Sequence, residues 1–216
     1  MLRPGGHPPK VQEWYDKLAP VVSGAWEVLS TVKPSKLAMR TGCPREKDTA
    51  LRVPFFWQDY LVRLSIQTVE RIATGEEPSS FTKALILSYM VTADGTTPSK
   101  RWVAFRELPD GLFYAQAFRG YAENRLVREL GDGGMAALAR AAEALDGEPI
   151  EIGDAGYAFA VLPRIRIAPV YWLGDEDFPS RTSILFEDTA PHYMSTDGLA
   201  ILGSRLVSTI AKAARA

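Results

Sequence analysis

The run RWVAFRELPDGLFYAQAF, Arg101 to Phe118, constrains the fold of this chain more than any other stretch. Pro109 fixes a backbone φ, Asp110 brings a turn-forming side chain and Gly111 permits a positive φ, so aromatic runs on either side predict a tight hairpin. A second hairpin is predicted where Phe55–Trp57 faces a strand across Gln58-Asp59. Beyond that turn Tyr60, Val62, Leu64 and Ile66 alternate with Leu61, Arg63 and Ser65 at period two. Short returns of this kind impose antiparallel pairing.

Helical patterns separate the hairpins. Trp14, Leu18, Val21, Val22, Ala25 and Leu29 share a face interrupted by Pro20 and Gly24, which predicts a kinked or divided helix. Arg40–Asp48, RTGCPREKD, reads as a loop. Ser79 is placed to cap a helix carrying Phe81, Leu85 and Tyr89. A helix pair is expected on the two sides of Gly131–Gly134, with Gly147 at the C-terminal cap of the second. Strands are expected over Tyr157–Leu162, Ile165–Leu173 and Thr182–Phe186. A last helix capped at Ser195 aligns Leu199, Leu202, Leu206 and Ile210. The sum is an α+β fold, a largely antiparallel sheet built from hairpins with packed helices, as a single domain over residues 11–216. Residues 1–10, MLRPGGHPPK, read as an arm that is flexible or ordered by a partner.

Composition narrows the function classes. The formal net charge is -1, from 25 basic and 26 acidic residues, so no field gathers nucleic acid or an anionic membrane, and neither is expected as a partner. The apolar stretches fall short of a membrane span and the start lacks a secretory apolar region, so a soluble cytoplasmic protein is expected. Cys43 is the one cysteine, which leaves no internal disulfide and no cysteine cluster for zinc or iron-sulfur.

The candidates for chemistry concentrate near the end of the chain. In WLGDEDFP, Asp175, Glu176 and Asp177 follow a strand exit at Gly174, and two of them facing one cavity would act as acid and base or hold a hard cation. Glu187 and Asp188 end the next strand, and His192 stands nearby as a general base or metal ligand. The structural reading of the same residues is the stronger one: acids satisfy free amides in turns, and a histidine without a second nitrogen or sulfur ligand is a surface or capping residue. Cys43 lies near Arg40 and Arg45 but has no catalytic partner in motif terms. Gly131–Gly134 lacks the strand-to-helix context and lysine of a phosphate loop. The rings Trp57, Tyr60, Trp102, Phe105, Phe113, Tyr114, Phe118, Tyr171 and Trp172 fall in expected strands and read as core, or as walls for a flat ligand. Arg106 and Glu107 are charges inside an apolar run, forming a buried pair or lining a cavity.

FRELPDG, the W-x-GDEDFP element, RTGC and FFWQDYLV together resemble an uncharacterised prokaryotic family, domain of unknown function 3786, over most of the chain. The resemblance implies no catalytic residues. Some members carry a fused four-cysteine iron-sulfur segment, which this chain lacks, and some occur in anaerobes with corrinoid and one-carbon chemistry. The leading expectation is a non-catalytic binding or accessory module that docks a partner protein, a small ligand or a planar cofactor. Trp102, Arg106, Glu107, Trp172, Asp175, Glu176, Asp177, Glu187 and His192 are its candidate ligand-binding residues; the residues name no particular cofactor. The alternatives are a carboxylate-based or metal-assisted hydrolase and a structural subunit of a larger assembly.

Overall fold

The computed structural model describes residues 9–47 and 49–215, with the backbone alone for residues 9–18 and 47. Residues 1–8, with His7 and most of the expected arm, lie outside the described residues, as do the side chains of Trp14 and Leu18. The chain is α+β, and its strands form two antiparallel sheets. Its residues gather into two compact units: the chain up to Val53 with Gln58–Ala93, and Pro54–Trp57 with Asp94 onward.

In the first unit α1 (Pro9–Ser30) runs unbroken through Pro20 and Gly24. The division expected there does not occur, because Ala25, Trp26 and Leu29 are buried and α1 packs along α3 (Ser80–Thr92). Tertiary packing thus overrides the local cost of proline and glycine. Ser79 caps α3 as expected, its hydroxyl accepting from the Thr82 amide. The stretch read as a loop from Arg40 to Asp48 instead begins as the end of α2 (Pro34–Thr41), turns at Gly42 with φ 70°, and enters strand β1 (Arg45–Lys47). Proline at the start and a left-handed glycine past the end delimit this helix. β1, β2 (Ala50–Phe55), β3 (Gln58–Arg63) and β4 (Thr68–Arg71) then form a meander in sequence order. Leu51, Val53, Tyr60, Val62 and Val69 are buried while the residues between are partly exposed, the alternation of a sheet covered on one face.

The hairpin expected between β2 and β3 forms, with its turn at Phe56-Trp57 rather than Gln58-Asp59. Phe56 adopts φ 54°. The tip, Pro54–Trp57, belongs to the second unit, where the Phe56 amide donates to the Val161 carbonyl at 2.8 Å and Trp57 Nε1 to the Leu145 carbonyl at 2.9 Å. These bonds fix the turn where the sequence alone placed strand.

The second unit holds a five-stranded sheet of β5 (Trp102–Ala104), β6 (Glu148–Ile150), β7 (Ala155–Leu162), β8 (Ile165–Trp172) and β9 (Arg181–Glu187) in the order β5-β9-β8-β7-β6. The three central strands, β7, β8 and β9, agree with the sequence reading, whereas β6 was not foreseen and β5 pairs with β9 rather than with the residues after Gly111. Helices α4 (Gly111–Phe118), α5 (Asn124–Leu130), α6 (Gly134–Ala144) and α7 (Thr196–Ala213) accompany it. The predicted face of α7, Leu199, Leu202, Leu206 and Ile210, is fully buried. At the centre Phe118 stacks on Phe105 with ring centroids 4.2 Å apart and lies 5.9 Å from Phe186. Gly203 lets α7 approach these rings: a Cβ there would sit 3.0 Å from the Phe118 ring.

The hairpin expected across Leu-Pro-Asp-Gly is absent. After β5 the chain makes a 3-10 turn at Phe105–Glu107, Asp110 takes φ 57°, and Gly111 starts α4. GLFYAQAF contains no β-branched residue and carries Ala115, Gln116 and Ala117, so its intrinsic preference is helical. Gly111 is needed for closeness, since a Cβ would fall 2.0 Å from the Phe105 carbonyl oxygen. Gly147 behaves likewise. The left-handed residue after α6 is Asp146 (φ 52°), while the Gly147 amide caps the helix end at the Ala142 carbonyl, 2.8 Å, and its missing Cβ makes room for the Phe159 ring, 2.8 Å from where a Cβ would be.

Candidate functional site

The carboxylates of the β8–β9 turn do not converge. Asp175, Glu176 and Asp177 are all exposed, and Asp175 Oδ1 accepts from the amides of Asp177 (2.9 Å) and Phe178 (2.8 Å). Asp175 therefore closes the turn that Gly174 opens, the structural role that acids in such a turn most often have. Among the described residues no group of three or more histidine, cysteine, aspartate or glutamate side chains is arranged to hold a metal ion. His192 is exposed, and its Nδ1 lies 2.7 Å from Asp94 Oδ2 and 3.2 Å from Thr96 Oγ1. The His192 hydrogen bond and the Thr96 amide hold the Asp94 carboxyl at about 2, below its ordinary 3.8. This folded value lies below the unfolded one, so the stability the pair contributes is present above about 3.8 and is lost as pH falls through about 2. An NMR titration is expected to place the Asp94 midpoint near 2 and to move it up toward 3.8 in His192→Ala. An unmoved midpoint would assign the shift to another group.

Cys43 is buried, and burial pushes its thiol up to about 11, against a hydrogen bond from Thr41 that acts the other way. Near neutral pH it is a thiol and lacks the thiolate a nucleophile requires.

Two of the sequence-picked residues do meet. Trp102 on β5 stands opposite Glu187 on β9, and the Arg166 guanidinium lies 5.9 Å over the Trp102 ring and 3.8 Å from the Glu187 carboxylate. Glu187 is fully buried and neither of its oxygens has a hydrogen-bond partner among the described residues. Burial raises its pKa, with Arg166 opposing. Trp172 is half-buried under the Arg181 guanidinium, 4.8 Å from the ring centroid, and its Nε1 is likewise unpaired among the described residues.

Arg106 and Glu107 are both exposed and do not pair with each other. Glu107 turns back so that its carboxylate accepts from the Ala104 amide at 2.7 Å, closing the 3-10 turn. Arg106 lines a small pocket whose other charged members, Arg119, Glu123 and Arg181, carry no sequence motif.

The surface the sequence missed lies on α4. Leu112, Phe113 and Tyr114 are 72%, 83% and 56% exposed. Successive helical residues are about 100° apart, so three consecutive apolar side chains cannot all face the one neighbour that buries Phe118. Read as a strand, Phe113 and Tyr114 counted as core or as walls for a flat ligand, which is why an exposed helical surface was not foreseen. Beside them a groove of about 730 Å³ is lined by Phe113, Tyr114, Pro109, Pro191 and Met194, with Asp110 and Asp197 at its margin. Among the described residues the first unit has a groove of about 460 Å³ along α1, where Trp26, Glu27 and Lys83 meet.

Comparison with known proteins gives a family and no activity. The family model of domain of unknown function DUF3786 matches residues 33–209, and the chain belongs to that family. No curated protein and no solved structure matches the chain. Among the described residues no helix is long and apolar enough to cross a membrane.

Proposed function

Taking the chain as a member of the DUF3786 family, we propose that it is a non-catalytic binding or accessory module that docks a partner protein through α4 and the adjoining groove. The observation that carries this reading is the exposed run Leu112-Phe113-Tyr114 beside that groove. Contiguous exposed apolar surface with a polar margin is the usual mark of an interaction site, and aromatic anchors dominate binding energy where partners meet. Asp110 and Asp197 at the margin favour a partner segment whose apolar side chains are flanked by lysine or arginine.

A protein partner is favoured over a planar cofactor. Of the rings that would have gripped a flat ligand, Tyr60, Phe105, Phe118 and Tyr171 are buried in the core, Phe105 and Phe118 against each other. A carboxylate hydrolase is disfavoured by the exposed, turn-closing Asp175 and its exposed neighbours.

The test is quantitative affinity capture from cells that express the protein, comparing wild type with the double substitution Leu112→Ser, Phe113→Ser and with Ile66→Ser, an exposed apolar residue elsewhere (62%). A polypeptide retained by wild type and Ile66→Ser but lost at least tenfold by the double variant is the expected result. No such polypeptide, with wild type a dimer that the double variant dissociates, would make the occupant a second copy and overturn the partner reading.

A further inference from the structure

The pocket beside Arg106 shares no lining residue with the docking groove, although Ala115 and Phe118 of α4 line it, and it carries an inference of its own. It measures about 160 Å³, smaller than the roughly 300 Å³ at which pockets begin to enclose drug-sized molecules. Its floor is Phe105 and Phe118, and its rim holds three guanidinium groups, Arg106, Arg119 and Arg181, with one carboxylate, Glu123, and the hydroxyl of Ser183.

That imbalance of charge has a structural origin. β5 ends at Ala104, which pairs with Leu185, so the β9 backbone before Leu185 has no strand partner on that edge. Glu123 fills the gap: its Oε1 accepts from the Ile184 amide at 3.2 Å, and its carbonyl accepts from the Thr182 hydroxyl at 2.6 Å. One carboxylate is thereby committed to the sheet. Among the described residues only Arg119 of the three arginines is in ion-pair range of a carboxylate, 3.7 Å from Glu123 Oε2. Arg181 stacks on Trp172, and both Arg181 and Arg106 act on Glu123 only through charge at longer range than an ion pair. The rim therefore keeps an excess of two positive charges in a chain whose net charge is -1.

The backbone here is unusual as well. Arg119–Glu123 forms a π-helical turn between α4 and α5, and its first and last residues are both rim residues. Single π-turns are rare and concentrate at functional sites, where the inserted residue re-aims side chains. In this turn the widening lets Glu123 reach β9 while Arg119 stays on the rim.

We propose that this pocket binds a phosphate group, with Arg106, Arg119 and Arg181 supplying guanidinium donors and Ser183 a hydroxyl. Planar guanidinium forks match phosphate oxygens two at a time, and the enclosed space admits a phosphate but not the body of a nucleotide. The phosphate comes either as the free ion or as a monoester whose remainder projects into solvent.

The test is calorimetric or NMR titration of the full chain with inorganic phosphate and, separately, with phosphoserine, at low ionic strength. Saturable binding of at least one is expected, weakened tenfold or more in Arg106→Gln and unchanged in Arg128→Gln, an exposed arginine outside the pocket. Arg106 is exposed and unpaired, so its loss leaves the fold intact. Glu123→Gln keeps the acceptor for the Ile184 amide while removing the negative charge and is expected to tighten binding several-fold. Phosphoserine bound as well as the free ion identifies a monoester; inorganic phosphate alone identifies the ion. Phosphate that binds no better than chloride, or Arg106→Gln and Arg128→Gln that behave alike, would overturn the proposal without bearing on the α4 surface.

Discussion

Phe118→Ala is expected to lower stability by about 3–5 kcal/mol, the range for truncating a fully buried aromatic ring. Phe118 is 1% exposed and touches three rings, stacking on Phe105 at 4.2 Å, meeting Tyr121 at 5.6 Å and Phe186 at 5.9 Å. It joins the end of α4 to β9, and Gly203 of α7 closes on its other side. Collapse into the space is limited because its neighbours are rings and backbone rather than flexible side chains. Chemical denaturation of wild type and variant measures the difference. Phe113→Ala, at 83% exposure on the same helix, is expected within about 0.5 kcal/mol. A loss of under about 1 kcal/mol for Phe118→Ala would contradict the central position given to it.

Gly111→Ala is expected to cost about 3 kcal/mol or more, at the upper end for overpacking. The added methyl would fall 2.0 Å from the Phe105 carbonyl oxygen, and backbone cannot swing aside as a long side chain can. Gly111 is not in the left-handed region. Asp110 is, at φ 57°. Asp110→Gly is therefore expected to be neutral or stabilising by up to about 1 kcal/mol, since glycine alone takes that conformation without a steric penalty. In a hairpin through Pro109-Asp110-Gly111 the glycine would occupy the positive φ, Gly111→Ala would cost only the modest amount of a strained turn, and Asp110→Gly would destabilise. The pair of variants separates the two folds of one stretch by sign as well as size.

The helix caps and central strands were legible because each is decided within a few residues. Ser79 and Ser195 accept from the amides of Thr82 and Gly198, three residues on, and β7, β8 and β9 are rich in β-branched and aromatic residues between clear breaks. The hairpin at β2–β3 was readable to within two residues, a shift that preserves which face is buried because side chains alternate at period two. What stayed hidden depends on distant partners. α2 buries only Leu37 and Thr41 and so shows no apolar stripe. The helix after Pro109 was masked by the turn residues Pro109-Asp110-Gly111 despite its local helical preference, and the stack of Phe105 on Phe118, thirteen residues apart in sequence, holds it in place. Arg119, Glu123 and Arg181 come from a π-turn and a strand end with no shared motif. Of the acids singled out, Glu187 is buried beside Arg166 and Trp102, while Asp175 closes the turn it stands in and Glu176 and Asp177 are exposed beside it.

Docking through α4 is the claim on which the functional account rests, and a photo-reactive phenylalanine analogue tests it in place. The analogue is introduced at position 113 and, as a control, at position 66, and living cells that express the protein are irradiated. Position 113 is expected to give one discrete adduct with another polypeptide that position 66 does not give. Identical products from both positions, or none from either, would contradict the assignment of this surface to a partner.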